Sequence, residues 1–247
     1  LKRIPKSGPF ITISNHPLGG IDGILLLKLL LEKRPDFKII ANFLLHRIEP
    51  LKPYVMPVNP FEGRKDAKSS LMGFKAAITH LREGHPLGIF PAGEVSTYKD
   101  GKLVVDKPWE VAAMKLIKKA EVPVVPIYFH AKNSSFFYRL AKMSDTLRTA
   151  KLPSELLTQK DRVIKVRIGN AISIADQAEH ESLDAFTDYL RKKTYMLSNP
   201  FQKKKLLENI PKTIKIKQQP KKIAGPVSVE AMEAEIAQLL AEDKRLL

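Results

Sequence analysis

The segment SNHPLGGIDG, residues 14–23, decides how we interpret the rest of the chain. A short apolar run at residues 10–13 precedes it and is typical of a buried strand, whereas the leucine-rich run at residues 24–31 is typical of a helix. Between the two, the segment supplies one imidazole, one carboxylate and three glycines. Loops at strand ends are where rigid scaffolds present reactive groups, so this segment is a candidate active-site loop.

His16 and Asp22 are the ionisable side chains of this loop. An imidazole can act as a general base near neutral pH, and a carboxylate can fix its tautomer and stabilise the imidazolium that forms. Five residues lie between the two, so their side chains meet only if the loop curls back, which Gly19 and Gly20 permit. The same spacing lets Asp22 cap a helix that starts at Gly23. Spacing alone leaves both interpretations open.

Strand and helix patterns alternate along the first 199 residues. This alternation predicts an α/β fold, with a mixed, mostly parallel sheet flanked by helices. After residue 199 the chain becomes rich in lysine, proline and glutamine, which indicates a basic linker over residues 200–226, and helical spacing resumes over residues 227–247. The expected strands are 10–14, 37–41, 54–58, 86–90, 122–129 and 163–168, and the expected helices are 22–34, 67–81, 108–119, 136–143 and 183–196.

The composition narrows the class of protein. Of the 247 residues, 44% are hydrophobic, enough for a substantial core, and the net charge is +16. Such an excess favours a polyanionic partner: nucleic acid, an anionic membrane surface or an acidic carrier protein. Without cysteine, disulfides, thiolate metal sites and a Cys nucleophile are excluded. No apolar stretch reaches the roughly 18–20 residues that span a bilayer.

Two further loops carry polar groups after expected strands. Glu62 and Arg64 follow the strand at 54–58, and a guanidinium there could clamp a phosphate or a carboxylate. Gly93 and Glu94 follow the strand at 86–90, and the glycine lets the backbone approach a ligand closely. Because loops at the carboxyl ends of strands converge on one crevice in an open α/β sheet, we expect all three loops to form one site.

Four ordered blocks now define a pattern: Asn15-His16 with Asp22, Phe61-Glu62-Gly63-Arg64, Phe90-Pro91-Ala92-Gly93-Glu94, and Val122-Pro123-Val124-Val125-Pro126. Together they resemble the glycerolipid acyltransferases, the lysophosphatidate acyltransferase-like enzymes, over roughly residues 8 to 170. This chain has five residues between His16 and Asp22, one more than the four that are usual in that family. It also differs from the commoner members of the family in the residues after the third block. The first block is most similar to the bacterial branch often labelled hemolysin, which includes O-acyltransferases of ornithine and glycine lipids.

The resemblance implies an acyltransferase domain over residues 1–199. His16 would remove the proton from the hydroxyl of a lyso-lipid acceptor, which attacks an acyl thioester, and Asp22 would orient His16. Arg64 would hold the anionic head group of the acceptor. The other block residues expected to bind substrate or shape its site are Asn15, Glu62, Gly93 and Glu94.

The resemblance also implies the partners. Acylated acyl carrier protein or acyl-CoA would be the co-substrate, with no metal or other cofactor. The basic surface would bind anionic lipids at the cytoplasmic face of the inner membrane. The chain starts at Leu1 and ends in an apparent helix, so we expect it to be a segment that leads into a fused or partner N-acyltransferase domain. We expect no nucleic-acid partner and no catalytic role for the other five histidines.

One alternative function accompanies this prediction. A non-enzymatic basic protein that binds anionic membrane or nucleic acid would show the same charge and would not depend on His16. Trp109 and the aromatic run Phe136-Phe137-Tyr138 could anchor the protein at a membrane interface, although core packing is the expected place for Trp109.

Overall fold

The computed structural model describes residues 1–58, 67–99, 103–143, 151–152, 154–155, 158–159 and 162–198. Leu1–Leu197 form one compact unit. Glu62 and Arg64, the basic segment 200–226 and the helix expected at 227–247 lie outside the described residues.

Eight strands and seven α-helices are described in this part of the chain. The strands are β1 Ile11–Ser14, β2 Lys38–Asn42, β3 Val55–Val58, β4 Leu87–Ile89, β5 Thr97–Lys99, β6 Leu103–Val105, β7 Val124–His130 and β8 Lys165–Ile168. The helices are α1 Gly20–Leu31, α2 Phe43–His46, α3 Ala67–Arg82, α4 Val111–Ala120, α5 Ser135–Met143, α6 Ile174–Ala178 and α7 Leu183–Tyr195, with short 3-10 turns at Glu49–Tyr54 and Met196–Ser198.

Six of the strands form one sheet in the order β3-β2-β4-β1-β7-β8. Every neighbouring pair is parallel except β7 and β8, which are antiparallel. All four residues of β1 are buried, as expected for a central strand covered on both faces. The predicted mixed, mostly parallel sheet is therefore confirmed.

Helices cover both faces of the sheet and define two cores. On one face, Ile11 and Ile13 of β1 belong to the same cluster as buried side chains of α3, α4 and α7. On the other face, Val125 and Ile127 of β7 belong to a cluster with the leucines of α1. Because side chains alternate along a strand, the β-branched runs seen in the sequence supply both clusters at once.

The structure differs from the sequence analysis at three places. Helix α1 begins at Gly20 rather than Asp22, because Gly19 takes a positive φ of 73° and ends the loop there. The hairpin of β5 and β6 was not predicted, since two three-residue strands carry too little periodicity to be recognised. Phe137 and Tyr138 are buried and cannot anchor at an interface, whereas Phe136 is exposed.

Trp109 is buried in the core, as its sequence context predicts. In the part of the chain that the structure describes, no helix is both long and apolar enough to cross a bilayer.

Candidate active site

The loop of residues 15–19 lies at the carboxyl end of β1, between the carboxyl ends of its two neighbours. Phe90 follows β4 on one side, and Phe129 lies near the end of β7 on the other. Ligands of open α/β sheets bind at this edge, so the fold places His16 where a substrate is expected.

His16 and Asp22 meet, as the sequence predicts. Nδ1 of His16 lies 3.1 Å from Oδ2 of Asp22, and the two side chains are 15% and 0% exposed, respectively. The positive φ of Gly19 reverses the chain between them. A Cβ on Gly19 would lie 2.9 Å from Cγ2 of Val95, so the position also lacks room for a side chain.

The carboxylate of Asp22 has a second contact, which bears on the capping interpretation. Oδ2 accepts a hydrogen bond of 2.8 Å from the backbone N–H of Leu18, just before the helix. Asp22 thus lies in the first turn of α1, where a negative charge is favoured, while Gly19 is the N-cap. The expectation that Asp22 caps a helix starting at Gly23 is therefore wrong, because α1 already begins at Gly20. Instead, one oxygen atom of Asp22 both accepts the hydrogen bond from Leu18 and faces the imidazole of His16.

Burial and charge act in opposite directions on this carboxylate. Complete burial raises the pKa of Asp22 above its ordinary value, and the adjacent His16 lowers it. The charged form of Asp22 is therefore most stable when His16 is an imidazolium. That is the state a general base passes through after it takes a proton.

The imidazole borders a cavity of about 490 Å³. Its ring packs on the ring of Phe90 with a centroid distance of 4.4 Å. Since Nδ1 faces Asp22, Nε2 is the nitrogen left for a substrate. The other lining residues are mostly apolar or glycine and come from the sheet, α1, α2, α3 and α4; they include Gly20, Gly23, Ile40, Leu45, Gly73, Phe74, Ile89 and Leu116. Such walls suit a hydrocarbon chain next to a base.

Gly93 and Glu94 both line this cavity, so two of the three expected loops converge. Gly93 has a positive φ of 65°. Glu94 is 45% exposed and forms an ion pair of 2.6 Å with Lys107. These positions fit a role at the cavity mouth.

Asn15 is 4% exposed and anchors the loop. Its Oδ1 accepts a 2.7 Å hydrogen bond from the N–H of Phe129, and its Nδ2 donates to the carbonyl of the same residue at 3.1 Å. Asn15 thereby ties β1 to β7 just before His16. The predicted contributions of Glu62 and Arg64 stay predictions, because neither residue is described.

Asp106 and Ser96 are the site residues that sequence reasoning missed. Asp106 is 2% exposed, and its Oδ1 accepts a hydrogen bond of 3.0 Å from the backbone N–H of His16. Because Asp106 directly follows the apolar run 103–105, its carboxylate could have been predicted to be a buried hydrogen-bond acceptor. Its partner could not be read from the sequence, because it lies 90 residues away.

None of the other five histidines lines the cavity in the described part of the chain. His80 and His85, for example, lie near Asp36 and Pro86, at the amino ends of β2 and β4. Within the described ranges, no group of three or more histidine and carboxylate side chains could hold a metal ion.

Comparison with known proteins identifies the family of the chain. The sequence model described as acyltransferase matches residues 1–203. The chain is 27% identical over 205 residues to a lyso-glycine lipid O-acyltransferase of Bacteroides thetaiotaomicron, which covers 80% of this chain and 73% of the relative. It is 29% identical over 181 residues to the protein of the same name from Phocaeicola vulgatus, which covers 70% of this chain and 62% of that relative.

The family match extends over most of the chain and contains the whole His16 site. It sets aside the alternative of a non-enzymatic basic protein and leaves an enzyme of the lipid acyltransferase branch. The chain belongs to the acyltransferase family.

Proposed function

We propose that this enzyme transfers a fatty acyl group from an acyl thioester to the hydroxyl of a lyso-lipid, with His16 as the general base. The observation that carries the proposal is the His16–Asp22 pair, 3.1 Å apart, at the edge of a cavity of about 490 Å³ that is lined mostly by apolar residues and glycine. A base beside a hydrocarbon-compatible cavity is what O-acylation of a lipid needs.

The reaction can be written through the residues described. Nε2 of His16 takes the proton of the acceptor hydroxyl as its oxygen attacks the thioester carbonyl, and Asp22 stabilises the imidazolium. When the tetrahedral intermediate collapses, the carbon–sulfur bond breaks and the thiolate takes the proton from His16. An ester and a free thiol result, without a covalent acyl-enzyme.

The acceptor that best fits the comparisons is a lyso-lipid with an amino-acid head group, such as the lyso-glycine lipid in the names of both relatives. Arg64 is the proposed partner of its carboxylate, because a guanidinium binds carboxylates bidentately. Acyl carrier protein and acyl-CoA are the donors to be compared.

A peripheral position on the cytoplasmic face of the inner membrane would bring the enzyme to its lipid substrates. Two exposed apolar side chains support this proposal: Met72 is 72% exposed and Val111 is 58% exposed. Each is next in sequence to residues that line the cavity, Gly73 in one case and Glu110 and Ala112 in the other. The net charge of +16 adds attraction to anionic lipid.

The test is an acyl-transfer assay with purified protein and a panel of lyso-lipids. The donor is acyl-CoA or acylated acyl carrier protein, with the radiolabel on the acyl group. The panel contains lyso-glycine lipid, lyso-ornithine lipid and lysophosphatidate. We expect ester formation with at least one lyso-amino-acid lipid and faster turnover than with lysophosphatidate. Transfer only to lysophosphatidate would contradict the proposed acceptor, and no transfer to any hydroxyl would contradict the reaction.

A further inference from the structure

The main chain of His16 is held by a buried carboxylate that is distinct from Asp22. Oδ1 of Asp106 accepts a hydrogen bond of 3.0 Å from the N–H of His16. The same oxygen accepts a hydrogen bond of 2.6 Å from the hydroxyl of Ser96. The contact places Asp106 behind the backbone of His16 while Asp22 faces its ring.

Ser96 binds the backbone carbonyl of His16, while Asp106 binds its backbone N–H. The backbone N–H of Ser96 donates a hydrogen bond of 2.9 Å to the carbonyl of His16. The N–H and the C=O of His16 are therefore both bound, one by Asp106 and the other by a residue that Asp106 itself fixes. Ser96 and Asp106 are each 2% exposed, so water does not compete for these bonds.

Asp106 is in turn fixed by the core and by α7. Nε1 of Trp109 donates a hydrogen bond to Oδ2 of Asp106 at 3.4 Å. The backbone N–H of Asp106 donates to the hydroxyl of Tyr195 at 2.8 Å. Nη2 of Arg191 donates to its carbonyl at 2.9 Å. All three partners are buried. The carboxylate thus connects the rigid base of the domain to the peptide of His16.

The adjacent residues of the loop are bound as well. Asn15 is bound to Phe129, and Nδ2 of Asn133 donates a hydrogen bond of 3.0 Å to the carbonyl of Pro17. With these flanks already fixed, the Asp106 contact acts on the position of His16 itself.

We propose that Asp106 is a positioning residue for acyl transfer. By accepting a hydrogen bond from the backbone N–H of His16, it sets where the imidazole lies relative to Asp22 and the cavity. The inference rests on the proposed function, in which His16 is the base. A displacement of about 1 Å at a reacting group can cost on the order of 10²-fold in rate. The acceptor atom matters here, so an amide that keeps Oδ1 should replace the carboxylate better than a methyl group.

The test compares four variants with the wild-type enzyme. Asp106→Ala removes the acceptor, Asp106→Asn keeps an oxygen for His16, and Ser96→Ala removes one neighbour of the carboxylate. Gln177→Leu is the matched control, because its buried Nε2 donates to the carbonyls of Val122 and Ile172, at the opposite end of β7. It removes buried hydrogen bonds without touching the His16 loop.

We expect Asp106→Ala to lower kcat by about 10²-fold with KM for the acyl thioester within about 3-fold of wild type. Asp106→Asn should recover at least about tenfold of that loss, and Gln177→Leu should keep the wild-type kcat despite a lower Tm. If Asp106→Ala does not fold, Ser96→Ala carries the test, with kcat lowered by about 5-fold or more at unchanged KM.

A readout independent of turnover accompanies the kinetics. In a two-dimensional NMR spectrum of the histidine Cε1–Hε1 groups, the His16 resonance is identified by its loss in His16→Ala. It should shift or broaden in Asp106→Ala and stay in place in Gln177→Leu. An unchanged His16 resonance in Asp106→Ala, or an Asp106→Asn variant no faster than Asp106→Ala, would overturn the positioning role.

The failure of this inference can be told apart from the failure of the proposed function. If His16→Ala keeps full activity, His16 is not the base and the proposed function fails. If His16→Ala is inactive while Asp106→Ala and Ser96→Ala match the Gln177→Leu control in kcat, only the positioning role is wrong.

Discussion

At the scale of single residues, the proposed chemistry depends on one imidazole with an acidic partner on its ring. Asp22 is fully buried, 3.1 Å from Nδ1 of His16. Burial raises the pKa of Asp22, and the histidine opposes that shift. The pair is therefore arranged so that proton uptake by His16 relieves the cost of a buried carboxylate.

Asp22→Asn is expected to lower kcat by about 10²-fold or more, because an amide cannot stabilise the imidazolium. The N–H of Leu18 can still donate to the amide oxygen, so the start of α1 should be retained. The measurement is kcat together with the Tm. A variant with a lower Tm but unchanged kcat would show that Asp22 serves only as a helix-start residue.

His130 gives a test of stability against pH. Burial and the nearby Arg167 lower its pKa to about 4, below the ordinary value of about 6.5. Between these values the unfolded chain binds a proton that the folded protein does not, so stability falls as the pH falls through this window. In His130→Phe this dependence should be smaller, as measured by urea unfolding at pH 7, 6, 5 and about 4. Parallel pH profiles for the two proteins would contradict this account of His130.

At the scale of elements, the central strand β4 shows how closely the sheet and α1 pack. A Cβ on Gly88 would lie 2.7 Å from Cζ of Phe37 and 2.9 Å from Cγ2 of Ile39. No side chain fits there without movement of the core, which explains a glycine inside a β-strand.

Gly88→Ala should therefore destabilise the protein by about 1–3 kcal/mol, the usual cost of overpacking. Gly20→Ala is a suitable control for stability, because the new Cβ would contact only the flexible tip of Leu45, at 3.2 Å. Denaturant unfolding of both variants is the measurement. Equal midpoints for Gly88→Ala and wild type would show that the core yields there.

The exposed apolar side chains Met72 and Val111, on the helices beside the cavity, allow a test of the proposed membrane contact. Placing a carboxylate at an exposed apolar position, as in Met72→Glu combined with Val111→Glu, should weaken binding to anionic vesicles by about tenfold or more. Ile174 is a matched control, since it is 47% exposed and follows Ile172, which pairs at the amino end of β7. Sedimentation with vesicles measures the effect. Equal losses for Ile174→Glu and the double variant would contradict a membrane-facing cavity mouth.

Sequence and structure agree most closely where patterns are long or local. The apolar runs at residues 10–13 and 122–129 predicted the neighbouring strands β1 and β7, because strands covered on both faces are continuously apolar. The start of α1 was misplaced because two adjacent glycines usually interrupt a helix, whereas here the positive φ of Gly19 begins it. That Gly93 lines the cavity could be predicted only because its block follows the His16 block in a recognisable order along the chain.

At the scale of the whole molecule, what the sequence could not show is which distant segments bind the active-site loop. Asn15 is bound to Phe129 and Pro17 to Asn133, across more than a hundred residues in each case. The intervening strands and helices bring these partners together, so no short window contains the information. The carboxyl ends of β1, β4 and β7 assemble the site, and the apolar cores on both faces keep it rigid.

The most direct test of the central claim is the acyl-transfer rate of His16→Ala with a lyso-amino-acid lipid and an acyl thioester, under single-turnover conditions. The side chain of His16 is 15% exposed, and the adjacent residues Asn15 and Pro17 are held by Phe129 and Asn133. The variant should therefore fold and bind both substrates. If His16 is the general base, the rate should be lowered by about 10²–10⁴-fold, the usual contribution of such a group. A folded His16→Ala enzyme that transfers acyl groups at the wild-type rate would contradict this role.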